Sequence, residues 1–299
     1  MGGSNLSTAE LALVTGDKPM LVGGNVIETS APSASNIKWL STNSLTDTTE
    51  TNSSYPASNA WDRFLNVDTR PDTTGATWNL SMNLGTHEPF DMIMIGGHNF
   101  GTIGGLTVKF QKATDATFGS VTDLSSWSPG SSNKRLVSVV LSDTSTAKRW
   151  TTTPYVRINI TGTSGTPKIG EVWLGRRRHL PYKFNVASQE KRTRSEVIRF
   201  ESMSGLVTTY TKSSGKALRS GAIEMDIRPA TNETDVTTWW SECGYGSKPF
   251  LWIENPSTAP SDCHVMICDP ELDFDLTGPS SRMLQLDMVE SAPFLSGES

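Results

Sequence analysis

Cysteine and histidine are scarce in this sequence, which argues against several kinds of site. The chain of 299 residues contains three cysteines and four histidines. Because the cysteine count is odd and the first residues do not resemble a secretion signal, a disulfide framework is not expected. The spacing of Cys263 and Cys268 also differs from that of the paired ligands in a structural zinc site. We therefore expect Cys243, Cys263 and Cys268 to be buried, free thiols.

Long apolar runs and concentrated charge are also missing. No run approaches the roughly 18 apolar residues that a membrane-spanning helix requires, so we expect no membrane insertion and a chain that starts in the cytoplasm. Charged residues make up 19% of the chain, and the net charge is −5. The one basic run is Arg176–Arg178, whereas duplex binding draws on a broad basic face. Nucleic acid is therefore not an expected partner, and the run is expected to be a solvated linker or a contact with an acidic neighbour.

The motifs of common enzyme classes are absent from the sequence. Gly96–Gly101 has the glycine spacing of a phosphate-binding loop, but Thr102 stands where that loop carries its lysine. There is no His-Glu-x-x-His pair and no Gly-x-Ser-x-Gly nucleophile turn. We therefore expect no catalytic residues and a protein that is not an enzyme.

Short strand-like segments make up much of what is present. Val156, Ile158 and Ile160 alternate with Arg157 and Asn159, which is typical of a strand with one buried face. Clusters of Gly, Ser, Thr, Asn and Pro separate such segments and favour turns over helices. These patterns predict an all-β protein.

Two apolar runs early in the chain predict a further pair of strands. Met82 and Leu84 flank the polar residue Asn83, and Met92–Ile95 is continuously apolar. Gly and Pro residues bound both runs, as is usual for strands packed in a sandwich. The sequence therefore predicts that the two runs are neighbouring strands.

One segment of the second half predicts a helix. Asn232–Cys243 begins with an N-cap and an acidic first turn, and it ends before Gly244. The apolar residues at helical spacing are Val236, Trp239, Trp240 and Cys243. Such an apolar stripe must pack against a sheet, and short β segments precede and follow the helix.

The length of the chain predicts two domains, because a domain usually has about 100 to 200 residues. We expect an N-terminal arm over residues 1–34, a β-sandwich over residues 35–178 and a second β domain over residues 179–299. The arm carries two apolar patches, Leu11–Val14 and Met20–Val22. Neither patch can form a core alone, so the arm is expected to pack on the sandwich or on a neighbouring subunit.

Five segments in the first half carry a family resemblance. In chain order they are Tyr55–Asp62, Trp78–Gly85, Phe90–Phe100, Tyr155–Ile158 and Gly170–Leu174. Their order and separation resemble the discoidin-like β-sandwich, the coagulation-factor C-type or galactose-binding-like jelly roll. The resemblance covers roughly residues 35 to 175. It implies an all-β jelly roll that binds carbohydrate through loops at one end and does not catalyse a reaction.

The resemblance also implies a set of ligand-binding residues. Sugar sites of this kind combine an aromatic face with polar donors on a rigid rim. The candidates are Trp61, Arg63, His98, Asn99, Phe100 and Arg157. His98 and Asn99 could equally stabilise their own loop, since glycines precede and follow them.

Discoidin-like domains commonly hold one calcium ion, and the resemblance implies where it would lie. Asp62 and Glu171 occupy the acidic positions of that pattern, and Asp68 and backbone carbonyls of the loop after Asp62 would add further oxygen ligands. The family pattern usually continues from the first carboxylate with Gly-Asn, whereas Arg63 and Phe64 follow Asp62 here. The alternative is a salt bridge from Asp62 or Glu171 to an arginine.

The second half resembles the compact β-barrel domains of tail and baseplate proteins in tailed bacteriophages. The residues that carry this resemblance are the Trp239–Trp240 pair, the Gly244–Gly246 turn and the Pro249–Trp252 strand. Ile95–Gly101 similarly resembles discoidin-like domains carried on virions. The complete expectation for the fold is a jelly-roll β-sandwich plus a small β-barrel-like domain with one short helix.

Together the two resemblances imply a structural protein of a phage tail tip, baseplate or collar. Its sandwich would attach to host-surface glycans or cement adjacent subunits. Such a protein would be made in the host cytoplasm, released in the virion by lysis, and assembled in a homo-oligomeric ring with other tail proteins. The alternative is a carbohydrate-binding module of a non-viral glycan-processing system.

Overall fold

The structure is a computed structural model, and it describes most of the first half of the chain and the central part of the second. The described residues are 20–29, 34–62, 67–87, 90–103, 105–129, 136–140, 153–179, 189–193, 197–201, 207–211, 218–226, 230–253, 263–268, 273–278 and 281–290. Arg63, the Leu11–Val14 patch and Phe64 lie outside these residues.

The described residues are mostly strands. In chain order the strands are β1 Met20–Val22, β2 Ile37–Leu40, β3 Thr77–Asn83, β4 Met92–Gly96, β5 Thr107–Ala113, β6 Val121–Trp127, β7 Leu136–Val140, β8 Tyr155–Thr161, β9 Glu171–Gly175, β10 Arg177–His179, β11 Gln189–Thr193, β12 Val197–Glu201, β13 Val207–Thr211, β14 Leu218–Asp226, β15 Phe250–Ile253, β16 Cys263–Cys268, β17 Asp273–Gly278 and β18 Ser281–Glu290. The α-helices are α1 Val26–Thr29 and α2 Ala230–Glu242, and the 3-10 helices are η1 Ala34–Asn36 and η2 Ala57–Trp61. The prediction of an all-β fold is confirmed.

Two antiparallel sheets form the sandwich of the first half. One has five strands in the order β2-β3-β8-β5-β6, and the other has three strands in the order β7-β4-β9. The alternating apolar residues Val156, Ile158 and Ile160 of β8 are buried between the two sheets, as their pattern predicts. This two-sheet body carries the candidate site residues.

The prediction that the runs around Met82 and Met92 are neighbouring strands is wrong. Met82 of β3 pairs with Val156 of β8, whereas Met92 of β4 pairs with Gly175 of β9. The two runs therefore belong to facing sheets, and the connection between them crosses the sandwich. A strand pattern reports which side chains are buried, but it does not identify the strand that pairs with it.

The three-stranded sheet is buried on both faces. The residues that face the five-stranded sheet are Ile93, Ile95, Val172 and Leu174. The residues that face the opposite way, into a second core, are Met92, Met94 and Trp173. Burial on both faces explains why β4 is continuously apolar rather than alternating.

An eight-stranded sheet covers the second face of the three-stranded sheet. Its main path is β10-β1-β15-β16-β18-β14-β11, and β17 pairs with β18 beside that path. Met20 and Val22 of β1 contribute to the core that Trp173 shares, together with Leu251 and Ile253 of β15. The sandwich and the second half are therefore packed together through a common apolar layer.

Strand β1 comes from the predicted N-terminal arm but lies inside the eight-stranded sheet. Leu21 pairs with Arg178 of β10 on one side and with Trp252 of β15 on the other. Segments assigned by sequence to three different domains thus share one sheet. The boundaries at residues 34 and 178 stay predictions.

Helix α2 packs on the outer face of the eight-stranded sheet. Val236, Trp239 and Cys243 are buried in a core with Phe250 of β15, and Trp240 is partly buried beside them. The predicted helix and its apolar stripe are confirmed, with the first residue of α2 two positions earlier than expected. Among the described residues, no helix has both the length and the apolar character needed to cross a membrane.

The three cysteines are buried free thiols, as predicted. Cys243 and Cys268 belong to the core under α2, whereas Cys263 lies in the core on the other face of the sheet. Burial raises the pKa of Cys243 far above its ordinary value. The thiol is therefore protonated and unreactive at neutral pH.

The basic run Arg176–Arg178 contacts acidic residues of the same chain. Arg178 forms ion pairs with Asp235 at 3.1 Å and with Glu242 at 3.0 Å, both on α2. Arg177 lies 3.4 Å from the carboxylate of Asp91. Of the two sequence interpretations, the contact with an acidic neighbour describes the structure, and it ties α2 to β10.

Candidate functional site

Several loops meet at the end of the sandwich where β4 finishes and β5 begins. We define this loop end as residues 69–76, 97–103, 105–106 and 162–169. An isolated β-bridge joins Thr69 to Ile169, and the hydroxyl of Thr163 donates to the carbonyl oxygen of Gly75 at 2.5 Å. Both contacts join the segment 69–76 to the segment 162–169.

His98 is the titratable residue at the centre of the loop end. Its side chain is buried, with 8% of its surface exposed, and its ring stacks on Phe100 at 4.5 Å between centroids. Trp127, the last residue of β6, lies 6.3 Å from the imidazole in a tilted orientation. We call His98 and Trp127 the His98 corner.

The environment of His98 determines its protonation. Burial lowers the pKa of His98 from its ordinary value of 6.5 to about 4, so the ring is neutral at neutral pH. The backbone N–H of Phe100 donates to Nδ1 at 3.3 Å, which places the proton of the neutral ring on Nε2. Nε2 is buried and has no hydrogen-bond partner in the described part of the chain. His98 therefore offers an unused N–H donor below the surface of the loop end.

Asn99 holds two loops together. Its amide nitrogen donates to the carbonyl oxygen of Thr166 at 3.0 Å, and its side-chain oxygen accepts from the backbone N–H of Lys168 at 2.8 Å. The backbone carbonyl oxygen of Asn99 accepts from the hydroxyl of Thr102 at 2.7 Å. The side chain is thus committed to the loop itself, which matches the structural alternative raised from the sequence.

The two aromatic candidates near the loop end are placed differently. Phe100 is fully buried in the sandwich core, so no face of its ring is open to a sugar. Trp61, at the end of η2, is half-buried and packs against the same core. Of the remaining candidates, Arg63 lies outside the described residues.

Arg157 lies away from the His98 corner. It is on the outer face of the five-stranded sheet, because its neighbours Val156 and Ile158 face the core. Its guanidinium donates to Gln111 at 2.7 Å and to Asn43 at 2.9 Å. The sheet therefore separates Arg157 from Phe100, and the structure does not bring all predicted ligand-binding residues together.

The free-energy cost of burying the charged guanidinium of Arg157 is offset by its contacts. Desolvation lowers the pKa of the guanidinium, and the nearby carboxylate of Asp123 opposes that effect. The guanidinium also lies 4.7 Å above the ring of Phe118. These contacts explain how a charged side chain is held at a buried position, which is a sufficient structural role for Arg157.

The three predicted calcium ligands do not form an obvious oxygen cage among the described residues. Asp68 pairs with Arg70 at 2.9 Å, and buried Glu171 lies 3.4 Å from the amide nitrogen of Asn25. Asp62 is at the end of η2. No group of three His, Cys, Asp or Glu side chains with metal-binding geometry occurs in the part of the chain that the structure describes. Calcium binding stays a prediction.

Comparison with known proteins finds similarity in structure alone. No family model matches the chain, and no curated protein matches it. The chain is similar to chitosan-binding module 1 of a chitosanase/glucanase from Paenibacillus sp. IK-5, with 14% identity, a TM-score of 0.36, and coverage of 51% of this chain and 98% of that one.

Two further solved structures are also similar to part of the chain. CpGH89CBM32-6 from Clostridium perfringens has 20% identity and a TM-score of 0.31, with coverage of 42% of this chain and 92% of that one. CBM62 of Xyl5A from Clostridium thermocellum has 22% identity and a TM-score of 0.31, with coverage of 47% of this chain and 94% of that one.

Sequence reasoning missed Trp127 as a site residue. Trp127 ends the edge strand β6 after the segment 122–126, which is polar except for Leu124, and the register of β6 on β5 pairs it with Val108. The signal in the sequence was a single aromatic residue after several polar ones. Its role as a site residue is apparent only in the tertiary structure, where folding places it beside His98.

Proposed function

We propose that the sandwich is a carbohydrate-binding module and that the His98 corner contacts the sugar. The observation that carries this proposal is the neutral His98 ring, whose Nε2–H donor has no acceptor among the residues that the structure describes and lies beside Trp127. A buried donor without a partner costs free energy, about 1 to 3 kcal/mol in proteins. A ligand hydroxyl that accepts this hydrogen bond would recover that cost.

The chemistry of the corner suits a sugar. One face of a pyranose ring is apolar and packs on an aromatic ring, while its hydroxyls accept and donate hydrogen bonds. Trp127 is 8% exposed and packs in the sandwich core, so it offers a ring edge beside His98 rather than an open face, and His98 supplies a donor that carries no charge at neutral pH. A neutral donor beside an aromatic ring favours a neutral polyol over an anion.

The rigidity of the loop end supports binding by a preformed site. Asn99 joins the segments around Thr166 and Lys168, and Thr163 joins its own loop to Gly75. Because these contacts hold the loops in place, little conformational entropy is lost when a sugar binds. The resemblance of residues 35 to 175 to discoidin-like domains supports the same function.

Replacement of His98 by phenylalanine tests the proposal. His98→Phe retains an aromatic ring against Phe100 but removes the Nε2–H donor, so we expect the full chain to keep its fold and lose at least tenfold in affinity. Binding is measured on an array of β-linked galactose, N-acetylglucosamine and glucose oligosaccharides. Unchanged binding by the variant would overturn the assignment of the His98 corner.

His87 provides a matched control. It lies on the connection from β3 to β4, at the opposite end of the sandwich, and its Nε2 contacts the carbonyl oxygen of Thr153 at 3.2 Å. His87→Gln should leave glycan binding unchanged. Equal losses in both variants would indicate a general effect of histidine replacement on the fold.

A role in a phage virion stays a prediction from the sequence. The proteins named in the comparisons above include carbohydrate-binding modules, and the proposal made here corresponds to the alternative of a glycan-binding module. Electron microscopy of the purified chain separates the two: closed rings would support a tail component, and dispersed monomers that bind glycans would support the module.

A further inference from the structure

We propose that the turn after helix α2 is a second sugar-binding site, centred on Tyr245. The turn comprises residues 240–248, and we call it the Tyr245 turn. It lies outside the sandwich, on the part of the chain that packs against the eight-stranded sheet. The assignment of a sugar as its ligand rests on the proposed carbohydrate-binding function, but the site itself is argued from different residues.

Part of the Tyr245 turn is an ordinary helix ending. The backbone N–H of Gly244 donates to the carbonyl oxygen of Ser241 at 2.9 Å. The backbone N–H of Tyr245 donates to the carbonyl oxygen of Trp240 at 3.0 Å. Gly244 has the left-handed φ of 58° that this ending requires. A side-chain contact such as the one between Tyr245 and Trp240 also commonly accompanies this kind of helix ending. These features are typical of helix ends and do not by themselves indicate a function.

The backbone conformation of Tyr245 is not required by the helix ending. Tyr245 has a φ of 57°, so it follows Gly244 in the left-handed region, and Gly246 continues there with a φ of 81°. A bulky residue rarely adopts this conformation, which favours glycine or asparagine. Strain of this kind is concentrated at functional sites. The turn holds a tyrosine where the backbone favours a smaller residue.

The ring of Tyr245 is both exposed and held in place. Tyr245 has 61% of its surface exposed, more than Val67, Val121, Ile267 or Val289, the other large hydrophobic residues exposed in the described part of the chain. Its ring meets that of Trp240 at 5.0 Å and 85°, in an edge arrangement. Since an edge contact leaves ring surface uncovered, Tyr245 can stack on the apolar face of a pyranose.

The area around Tyr245 matches one sugar ring better than a protein partner. A stable protein interface buries roughly 800 Å² on each partner and has an apolar centre. Here one aromatic ring is exposed among the exposed polar residues Ser241 and Ser247. A single ring bordered by hydroxyls has the dimensions and chemistry of a sugar contact.

The two serines are oriented to accept hydrogen bonds. The hydroxyl of Ser241 donates to the carbonyl oxygen of Thr238 at 2.7 Å, and that of Ser247 donates to Gly244 at 2.6 Å. Each hydroxyl proton is therefore used within the turn, while oxygen lone pairs remain for an incoming donor. Sugar hydroxyls are such donors, so the serines flank the stacking ring with acceptors.

Two replacements of Tyr245 separate the ring from the backbone. Asparagine tolerates the left-handed conformation, so Tyr245→Asn removes the ring without adding strain, whereas Tyr245→Phe keeps the ring. We expect Tyr245→Asn to lower the apparent affinity of the full chain for the same oligosaccharide array by at least tenfold. Tyr245→Phe should bind within about twofold of the wild type, and neither variant should melt below it.

A soluble ligand separates failure of this site from failure of the sandwich site. Methyl β-galactoside, methyl β-glucoside and methyl β-N-acetylglucosaminide are titrated into the His98→Phe variant while the NMR signals of the Tyr245 ring are followed. Shifts of these signals with at least one sugar are expected. No shift, together with unchanged array binding by Tyr245→Asn, would overturn the Tyr245 site and leave the His98 corner standing.

Two other results would also overturn the proposal. If the wild-type chain binds none of the printed glycans, the second site and the proposed function both fail. If sedimentation shows a dimer that Tyr245→Asn disrupts, the turn is a contact between copies of the chain and not a sugar site.

Discussion

The indole nitrogen of Trp173 donates a hydrogen bond to the carbonyl oxygen of Gly23 at 3.1 Å. Trp173 belongs to the central strand layer of the molecule, and Gly23 follows directly after β1 in the eight-stranded sheet. The bond therefore joins the sandwich to the segment that completes the second sheet. Because both groups are buried, it also supports the apolar layer in which Trp173 packs with Met20 and Val22.

Removing the side chain of Leu21 should destabilise the whole molecule. Leu21 is fully buried under α2, and its strand is paired on both sides. Leu21→Ala should lower the free energy of unfolding by about 2 to 5 kcal/mol, as for other buried leucines. Urea unfolding measures this change, and Val121→Ala, at an exposed position, should change it by less than about 0.5 kcal/mol.

The same unfolding experiment tests whether the two halves fold together. Since β1 and β4 share an apolar layer, we expect circular dichroism and tryptophan fluorescence to give one coincident transition. Two separated transitions would mean that the sandwich and the eight-stranded sheet unfold independently, against the shared core.

A methyl group at Gly175 should be poorly tolerated. A Cβ there would overlap Cγ1 of Val22 and would lie 3.1 Å from the carbonyl oxygen of Gly23. The branched side chain of Val22 or the backbone around it must therefore shift, and Gly175→Ala should destabilise the fold by about 1 to 3 kcal/mol. Gly119→Ala is the control, because its Cβ would meet only the side chain of Thr117 at 3.4 Å. Equal melting temperatures for the two variants would contradict the close approach of β9 to β1.

The stability of the protein should fall between pH 6.5 and about 4 because of His98. The pKa of His98 is lowered by burial from 6.5 to about 4, so in this interval the unfolded chain binds a proton that the folded chain does not. Stability is therefore complete above pH 6.5 and declines as the pH falls, by up to about 3 kcal/mol.

Urea unfolding at several pH values measures this contribution. His98→Phe has no titrating ring at this position, so its stability should decline less over the same pH interval. A parallel decline in the variant and the wild type would show that His98 is not responsible.

The side-chain amide of Asn99 should be required to hold the loop end together. Asn99→Asp retains the acceptor for Lys168 N–H but removes the donor to the carbonyl oxygen of Thr166 and places a charge beside it. We expect a loss of about 1 to 3 kcal/mol in thermal unfolding and weaker glycan binding.

Asn52→Asp is the control for this change. Asn52 accepts from the backbone N–H of Ser54 at 2.9 Å, a role that aspartate can also perform. A destabilisation in Asn52→Asp as large as that in Asn99→Asp would indicate a general effect of added charge.

Much of the local structure could be predicted from the sequence. The alternation in β8 and the stripe of Val236, Trp239 and Cys243 in α2 identify the buried faces, because side-chain direction follows the period of each element. The resemblance to discoidin-like domains makes His98 and Asn99 site candidates, whereas the glycines that border their loop favour a structural role. The structural role describes Asn99, and it describes His98 in part, since Nδ1 accepts from the backbone N–H of Phe100 while Nε2 is left unused.

The pairing of strands and the assembly of the site depend on the tertiary structure. The position of β1 between β10 and β15, the separation of β3 and β4 into facing sheets, and the contact of Trp127 with His98 all join residues far apart in the chain. Local periodicity identifies which side chains need burial. Only the packing of all the layers determines which distant segment buries them, since many pairings satisfy the same apolar pattern.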